Sequence, residues 1–267
     1  MRIDIVHQFI GGLYTDSVFL ELFKNCRDVA FGFVGLEEEE CDFFKNVDIE
    51  RIKKINNIIR EKRLSVLKNC FSYFSEFYPD TFSSLTSEFL MIPGNYSGNR
   101  SGRLEMCQDF YSFASQKMDG FRKNNFPKYL KEIILFDYLS KSCADIRIPS
   151  FLKYYTDLRH IKPSARPIFN NHVIMQHFRW PIMDVINSLK QNEIPKNVQK
   201  GDCTIIFAPH KNKFKILQLS DTTRLLIDFL NGEYRASELH KMFGKENQKK
   251  IDASLEFLST NNLLLYR

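Results

Sequence analysis

Histidines and cysteines are the residues of this 267-residue chain best suited to hold a metal ion, and there are six of each. His172 and His177 are five positions apart, which would place them on different faces of a helix, and no carboxylate lies at a matching spacing. Neighbouring cysteines are at least 15 residues apart, and no CxxC motif occurs. The sequence therefore predicts no metal site built from this chain alone, and reduced, mostly buried cysteines.

The run DLRHIK contains the remaining polar cluster of interest, which consists of Asp157, Arg159 and His160. Such a cluster is typical either of a site that acts together with a partner or of a surface turn held by salt bridges. The sequence has no glycine-rich nucleotide loop, no GxSxG nucleophile motif and no HExxH zinc motif. These observations favour a scaffold or binding subunit over an enzyme that works alone.

The composition is that of an ordinary globular protein, with 43% hydrophobic and 26% charged residues and a mild net charge of +6. No apolar run approaches the roughly 18 residues of a membrane span. The N-terminus lacks the pattern of a secretory signal, so a cytoplasmic location is expected. The 25 phenylalanines predict an aromatic-rich core.

Residues 15–78 have the pattern of successive helices. Asp16 can cap the first of them, and Asp48 opens a longer segment in which isoleucines recur every three or four positions. The run EEEE at 37–40 is typical of a solvent-exposed helix start, where negative charge is favoured. Further helices are predicted over 103–122, 127–143 and about 181–191, so the predicted fold class is mainly α with a small α+β part.

The hydrophobic period changes near the C-terminus. TIIFA (204–208) and KFKILQL (213–219) alternate as strands do, and Ser220 or Asp221 can then cap a helix. Two further helices and a final strand, LLLY, complete a winged-helix-like unit. We therefore predict a helical domain over 1–195 and a winged-helix-like domain over 201–267.

A winged-helix-like unit can bind DNA or a peptide. Its third helix, ENQKKIDASLEFLST, has no arginine, and residues 201–267 contain 10 Lys or Arg against 8 Asp or Glu. Base readout in the major groove requires more basic and amide side chains than this. An exposed strand edge can instead pair with a visiting peptide, although lysines such as Lys213 and Lys215 are also common guards of an unused edge.

Three segments resemble the HvfC-like proteins, long labelled as having a DNA-binding domain. RLSVLKNCFSYFSEFYPDTFSSL (63–85) resembles the signature RLxVYRNN, a helix, FP and a second helix. FPKYLKEIILFDYL (126–139) resembles its later proline-led helix, and the chain from RPIFNNHVIM onward resembles its C-terminal half. Leu67–Cys70 departs from the usual Tyr-Arg-Asn-Asn, and Asp137 stands where a glutamate is common.

The resemblance implies a partner subunit of a TIM-barrel iron enzyme, of which the methanobactin-biosynthesis branch (MbnC-type) is the best understood. It implies a helical N-terminal part and a C-terminal domain like a RiPP recognition element, the module that binds the leader of a ribosomally made precursor peptide. The iron subunit (MbnB-type) would oxidise cysteines of the precursor to oxazolone and thioamide groups. No cofactor is expected in this chain, because the iron belongs to the partner.

Site residues follow from combining the resemblance with the strand and helix patterns. Leader binding is expected at seven strand residues and three residues of the facing helix: Lys213, Phe214, Lys215, Ile216, Leu217, Gln218, Leu219, Lys249, Asp252 and Glu256. Partner contact is expected at Arg63, Asn69, Arg159 and His160. The alternative is a transcription regulator that uses the same C-terminal unit on DNA.

Overall fold

A computed structural model describes residues 2–92, 100–120, 126–144, 163–210 and 213–266. The chain divides into two compact units, Met1–Tyr138 and Leu139–Arg267. Thirteen α-helices and two small sheets lie in the described part, so the predicted fold class, mainly α with a small sheet part, is confirmed. The functional domains expected over 1–195 and 201–267 stay a prediction.

The first unit is helical in all its regular structure that the model describes. Its helices are α1 (Ile3–Thr15), α2 (Ser17–Asn25), α3 (Arg27–Val34), α4 (Glu38–Lys45), α5 (Ile49–Cys70), α6 (Ser72–Phe77), α7 (Pro79–Phe89), α8 (Arg100–Gly120) and the start of α9 (Leu130–Ala144). No helix in the described ranges is both long and apolar enough to cross a membrane.

Local capping explains where these helices begin and end. The carboxylate of Asp16 accepts the backbone N–H groups of Val18 and Phe19 at 2.8 and 3.0 Å, as an N-cap should. Asp48 caps α5 in the same way, and Pro79 is the first residue of α7. Gly35 ends α3 with φ of 75°, a conformation that few other residues adopt without strain.

Phenylalanines form the core of the N-terminal helices, as predicted. The Phe9 ring is fully buried and lies with its centroid 4.7–5.6 Å from the ring centroids of Phe19, Phe23, Phe31 and Phe44. Edge-to-face pairs at such distances contribute about 0.5–1.5 kcal/mol beyond the area that they bury. The aromatic composition therefore serves packing in this unit.

The acidic run before α4 is only partly exposed. Glu37, Glu38 and Glu39 are exposed, but the Glu40 residue is 2% exposed, so the prediction of a solvent-exposed run was wrong for Glu40. The Glu40 carboxylate accepts the backbone N–H of Arg2 at 2.6 Å and its guanidinium at 2.9 Å. These donors lower the pKa of Glu40 to about 2.

The second unit combines short strands with helices. After the end of α9 it contains β1 (Pro167–Phe169), β2 (Ile174–Phe178), α10 (Ile182–Lys190), β3 (Cys203–His210), β4 (Lys213–Leu219), α11 (Asp221–Ile227), α12 (Ala236–Phe243), a 3-10 turn (Lys245–Asn247), α13 (Gln248–Thr260) and β5 (Leu264–Tyr266). One antiparallel sheet has the order β2-β3-β4, and a second pairs β1 with β5.

The predicted strands over 204–208 and 213–219 are confirmed as β3 and β4, and Ser220 caps α11 as predicted. The final strand is also present, but it pairs with β1. Residues 174–178, which the sequence pattern left as mixed, supply the third strand of the larger sheet.

One face of the larger sheet packs against the three C-terminal helices. Ile206, Ala208 and Leu219 share a buried cluster with the apolar face of α13. That face consists of Ile251, Leu255 and Leu258, which the sequence predicts as inward and which are 0–2% exposed. The spacing of these three residues along the helix therefore determines which face of α13 packs against the sheet.

Asp137 joins α9 to the start of α6 in the first unit. Its carboxylate accepts the backbone N–H of Phe74 at 2.9 Å, the N–H of Tyr73 at 3.3 Å and the Ser72 hydroxyl at 3.4 Å. These bonds satisfy helix-start donors that would otherwise be buried without a partner. Burial nevertheless raises the pKa of Asp137 to about 7, since desolvation of the carboxylate outweighs the three donors.

The raised pKa of Asp137 predicts a pH-dependent stability. Between about pH 4 and about pH 7 the folded state keeps a proton that the unfolded state releases, so the free energy of unfolding falls as pH rises, by at most about 4 kcal/mol. Asp137→Asn lacks this contribution. Urea denaturation should therefore show the stability of wild type relative to the variant falling between about pH 4 and about pH 7. A difference that stays constant over this range would contradict the titration of Asp137.

Candidate functional site

β4 is an edge strand of the larger sheet. It pairs with β3 along its whole length, from His210–Lys213 to Thr204–Leu219, and no strand among the described residues pairs with its other side. An edge strand presents a row of backbone donors and acceptors that can pair with another chain. This unpaired side is called the outer edge of β4 below.

The register indicates which residues of β4 present their backbone groups at the outer edge. Pro209 pairs with Phe214, and a proline has no N–H, so it occupies ladder positions that need no donor. We therefore infer that Pro209 and Phe214 form a pair without hydrogen bonds between β3 and β4. Such pairs alternate with hydrogen-bonded ones along an antiparallel ladder, so Ile216 and Gln218 also make no backbone hydrogen bonds to β3. The N–H and C=O groups of these three β4 residues then point to the outer edge.

A groove of about 480 Å³ lies beside the end of β4, between that strand and the helices α11 and α13. It is called the β4 groove. Its walls carry mostly small or hydroxyl-bearing side chains, with one lysine and one aromatic ring. The lining residues are Gln218, Ser220, Thr222, Thr223, Lys250, Ala253, Ser254 and Phe257.

Three hydroxyls hold α13 beside the end of β4. The Ser220 oxygen accepts the backbone N–H of Thr223 at 3.1 Å and lies 2.8 Å from the Thr223 hydroxyl. That hydroxyl donates to Ser254 on α13 at 2.9 Å, and Thr223 and Ser254 are each 4% exposed. This hydroxyl chain links the N-cap of α11 to α13 and forms one wall of the β4 groove.

A lysine makes the corresponding link toward the start of β4. The Lys215 ammonium lies 3.4 Å from the side-chain oxygen of Asn261, the residue that caps the C-terminus of α13. A positive charge is favoured there by the helix dipole. The two links show that β4 and α13 run in opposite directions, because Lys215 lies near the end of α13 whereas Ser220, which follows β4, is linked through Thr223 to Ser254 in the middle of α13.

The structure brings part of the predicted leader-binding set together. The residues of β4 are all at the sheet edge, and Leu217 and Leu219 face the helices. Lys249, Asp252 and Glu256 are exposed on α13 but do not line the β4 groove, and the Asp252 carboxylate lies 2.7 Å from the His240 ring. Their role in binding stays a prediction.

The groove-facing residues of α13 were missed by the sequence interpretation. They are Lys250, Ala253, Ser254 and Phe257, which follow the spacing of one helix face. The sequence feature that could have identified this face is the pair Ala253 and Ser254 beside the buried apolar residues of α13, because small side chains allow a close approach or leave a groove.

The residues predicted to contact a partner lie in different surroundings. Arg63 is 3% exposed on α5, so its side chain is beneath the surface, whereas Asn69 is exposed near the end of the same helix. Arg159 and His160 lie outside the described residues. Partner contact by these four residues stays a prediction.

His172 and His177 are not on a helix, contrary to the spacing used above. His172 precedes β2, and His177 lies on β2, with its ring nitrogens 3.4 Å from the Thr204 hydroxyl and 3.7 Å from Asp202. These distances exceed those of a nucleophile and its base, and the His177 and Asp202 side chains are more than half exposed. These side chains therefore form contacts that join His177 of β2 to Thr204 on β3 and to Asp202 just before it.

Metal-ligating residues are scattered in the described part of the chain. No group of three or more His, Cys, Asp or Glu side chains converges there. Cys70, Cys107, Cys143 and Cys203 are buried, which confirms the prediction of mostly buried cysteines, and their reduced state stays a prediction.

No protein-family model matches the chain, and no curated protein matches it significantly in sequence. The resemblance to the HvfC-like family therefore rests on the segments quoted above. What it implies about function is taken forward only as a proposal.

The hydroxyl chain predicts an unequal effect of two neighbouring substitutions. Thr223→Val removes the donor to Ser254 in a buried place and should lower the free energy of unfolding by about 1–3 kcal/mol. Thr222→Val, on the same helix and in the same groove, lies outside the chain of hydroxyls and should change it by less than about 0.5 kcal/mol. Urea denaturation of both variants measures the difference, and equal effects would show that the chain does not hold α13.

Proposed function

We propose that this chain is the non-catalytic, leader-binding subunit of a cytoplasmic, heteromeric iron-dependent oxidase that modifies precursor peptides. The modified residues would be cysteines, converted to oxazolone and thioamide groups as in methanobactin-type biosynthesis, which serves copper acquisition. The observation that carries the proposal is the outer edge of β4, which lies next to a groove with a wall of small side chains.

The order of elements in the second unit supports this proposal. Strand β2 is followed by α10, β3 and β4, then by the three helices α11, α12 and α13, and the last of these lies along the edge strand. A winged-helix-like RiPP recognition element, which the family resemblance implies, would have such an order, with the leader as an additional strand. An extended peptide could pair with the backbone groups of Phe214, Ile216 and Gln218 while its alternate side chains enter the β4 groove.

The proposed subunit acts by positioning. A leader held at β4 keeps the attached core peptide near the partner at a high effective concentration, which converts an encounter between two molecules into an intramolecular step. The iron of the partner would supply the oxidation chemistry. In this chain, Asn69 is an exposed candidate for contact with the partner, whereas Arg63 would act from within the first unit.

Strand addition predicts different effects for proline at the two edges of the sheet. Ile216→Pro removes an N–H that points to the outer edge of β4, and no bond to β3 is lost, so leader binding should fall by more than about tenfold. Met175→Pro is the matched control, because Met175 pairs with Ile206 on the opposite edge, where the same alternation directs its N–H outward. Fluorescence anisotropy with the labelled leader of a methanobactin-type precursor peptide measures both variants.

Both proline variants should keep the circular dichroism of wild type and still co-purify with the iron subunit. Unchanged leader affinity in a folded Ile216→Pro protein would rule out strand addition at β4. The transcription-regulator alternative predicts instead a protein that binds a promoter fragment without a partner, with affinity falling steeply as salt rises.

A further inference from the structure

We propose that the β4 groove, together with Lys215 farther along the strand, selects a peptide strand of the pattern acidic-x-apolar-x-acidic, where x is any residue. This inference rests on the proposed strand addition and specifies the chemistry of the peptide. Lys250 and Lys215 would bind the two acidic side chains, and the wall around Ala253 and Ser254 would receive the apolar one.

The alternation of a strand determines which peptide side chains meet α13. In a strand paired with the outer edge of β4, every second side chain points to the face where the helices lie. Leu217 and Leu219 define that face on β4, because they pack against the helical core. Three successive side chains on the same face belong to positions 1, 3 and 5 of a five-residue segment, so the outer two are four positions apart.

The positions of the two lysines can be compared with that span. Lys250 lines the groove near Ser220, and Lys215 reaches Asn261 at the other end of α13. Positions 250 and 261 of a helix are about 16 Å apart at a rise of 1.5 Å per residue. Four residues of an extended peptide cover about 13 Å, whereas two cover about 7 Å and six about 20 Å. A separation of two positions is too short, whereas separations of four and six differ from the distance between helix positions 250 and 261 by similar amounts. A separation of four leaves one side chain on the same face between the two acids, which matches the single wall of small residues at Ala253 and Ser254.

Charge and side-chain size favour the same pattern. Among the described residues that line the groove, Lys250 is the charged one, and the carboxylate of Asp252 on the same helix turn lies 2.7 Å from the His240 ring. Ala253 and Ser254 are small and lie midway between the two ends of α13, with the Phe257 ring beside them. The middle of the groove therefore has room and apolar surface for one side chain of medium size.

Three synthetic peptides of equal length test this pattern. Their central segments are Glu-Thr-Leu-Thr-Glu, Lys-Thr-Leu-Thr-Lys and Glu-Thr-Ser-Thr-Glu, each flanked by Gly-Ser and labelled with fluorescein. We expect the first to bind at least about tenfold more tightly than the second, because two attractive pairs become repulsive. We expect the third to bind about threefold to tenfold more weakly than the first, because it lacks the apolar side chain.

Charge reversal in the protein assigns the preference to a residue. Lys250→Glu should weaken the first peptide about tenfold and strengthen the second, whereas Lys241→Glu, an equal charge change on exposed α12, should leave both nearly unchanged. A larger effect of Lys249→Glu would overturn the assignment to Lys250.

Equal binding of all three peptides, lost in Ile216→Pro, would overturn the pattern but leave strand addition standing. If all three bind and Ile216→Pro changes none of their affinities, strand addition and this inference fail together.

Discussion

The hydrogen bond from Thr223 to Ser254 is the contact on which the candidate site depends. It is buried, so neither hydroxyl can exchange its partner for water without opening the structure. It fixes the distance between the start of α11, which follows directly from β4, and the middle of α13. The groove is therefore a consequence of packing that exists without a ligand, and a peptide would find it already formed.

For the second unit, the sequence predicted which segments form strands and helices better than it predicted which of these elements lie next to each other. Alternation identified β3 and β4, and the spacing of Ile251, Leu255 and Leu258 identified the buried face of α13, because both periods reflect burial directly. The pairing of β2 with β3 was not predictable in this way, since the segment before it is broken by prolines and strand order depends on contacts distant in sequence. The same limit applies to Lys250, which the pattern placed outside the core but could not place beside β4.

The two buried acids show why charge patterns alone were a weaker guide. Glu40 sits in a run of four glutamates, yet it is buried because Arg2 supplies donors from a distant part of the chain. Asp137 takes the role of a helix cap for a segment more than sixty residues away. In both cases the acid satisfies backbone or side-chain donors that the local sequence does not reveal. Their opposite pKa shifts follow from the balance between these donors and desolvation.

If the outer edge of β4 binds a leader peptide as proposed, this binding would also link the lifetime of the protein to that peptide. A molecule that binds only the folded state raises the free energy of unfolding by RT ln(1 + [L]/Kd), which is about 2.7 kcal/mol when the ligand is at 100 times its Kd. A sheet completed by a fourth strand would thus unfold, and be degraded, less often than the free sheet. The subunit would then persist in a cell that makes its peptide and be cleared faster in a cell that does not.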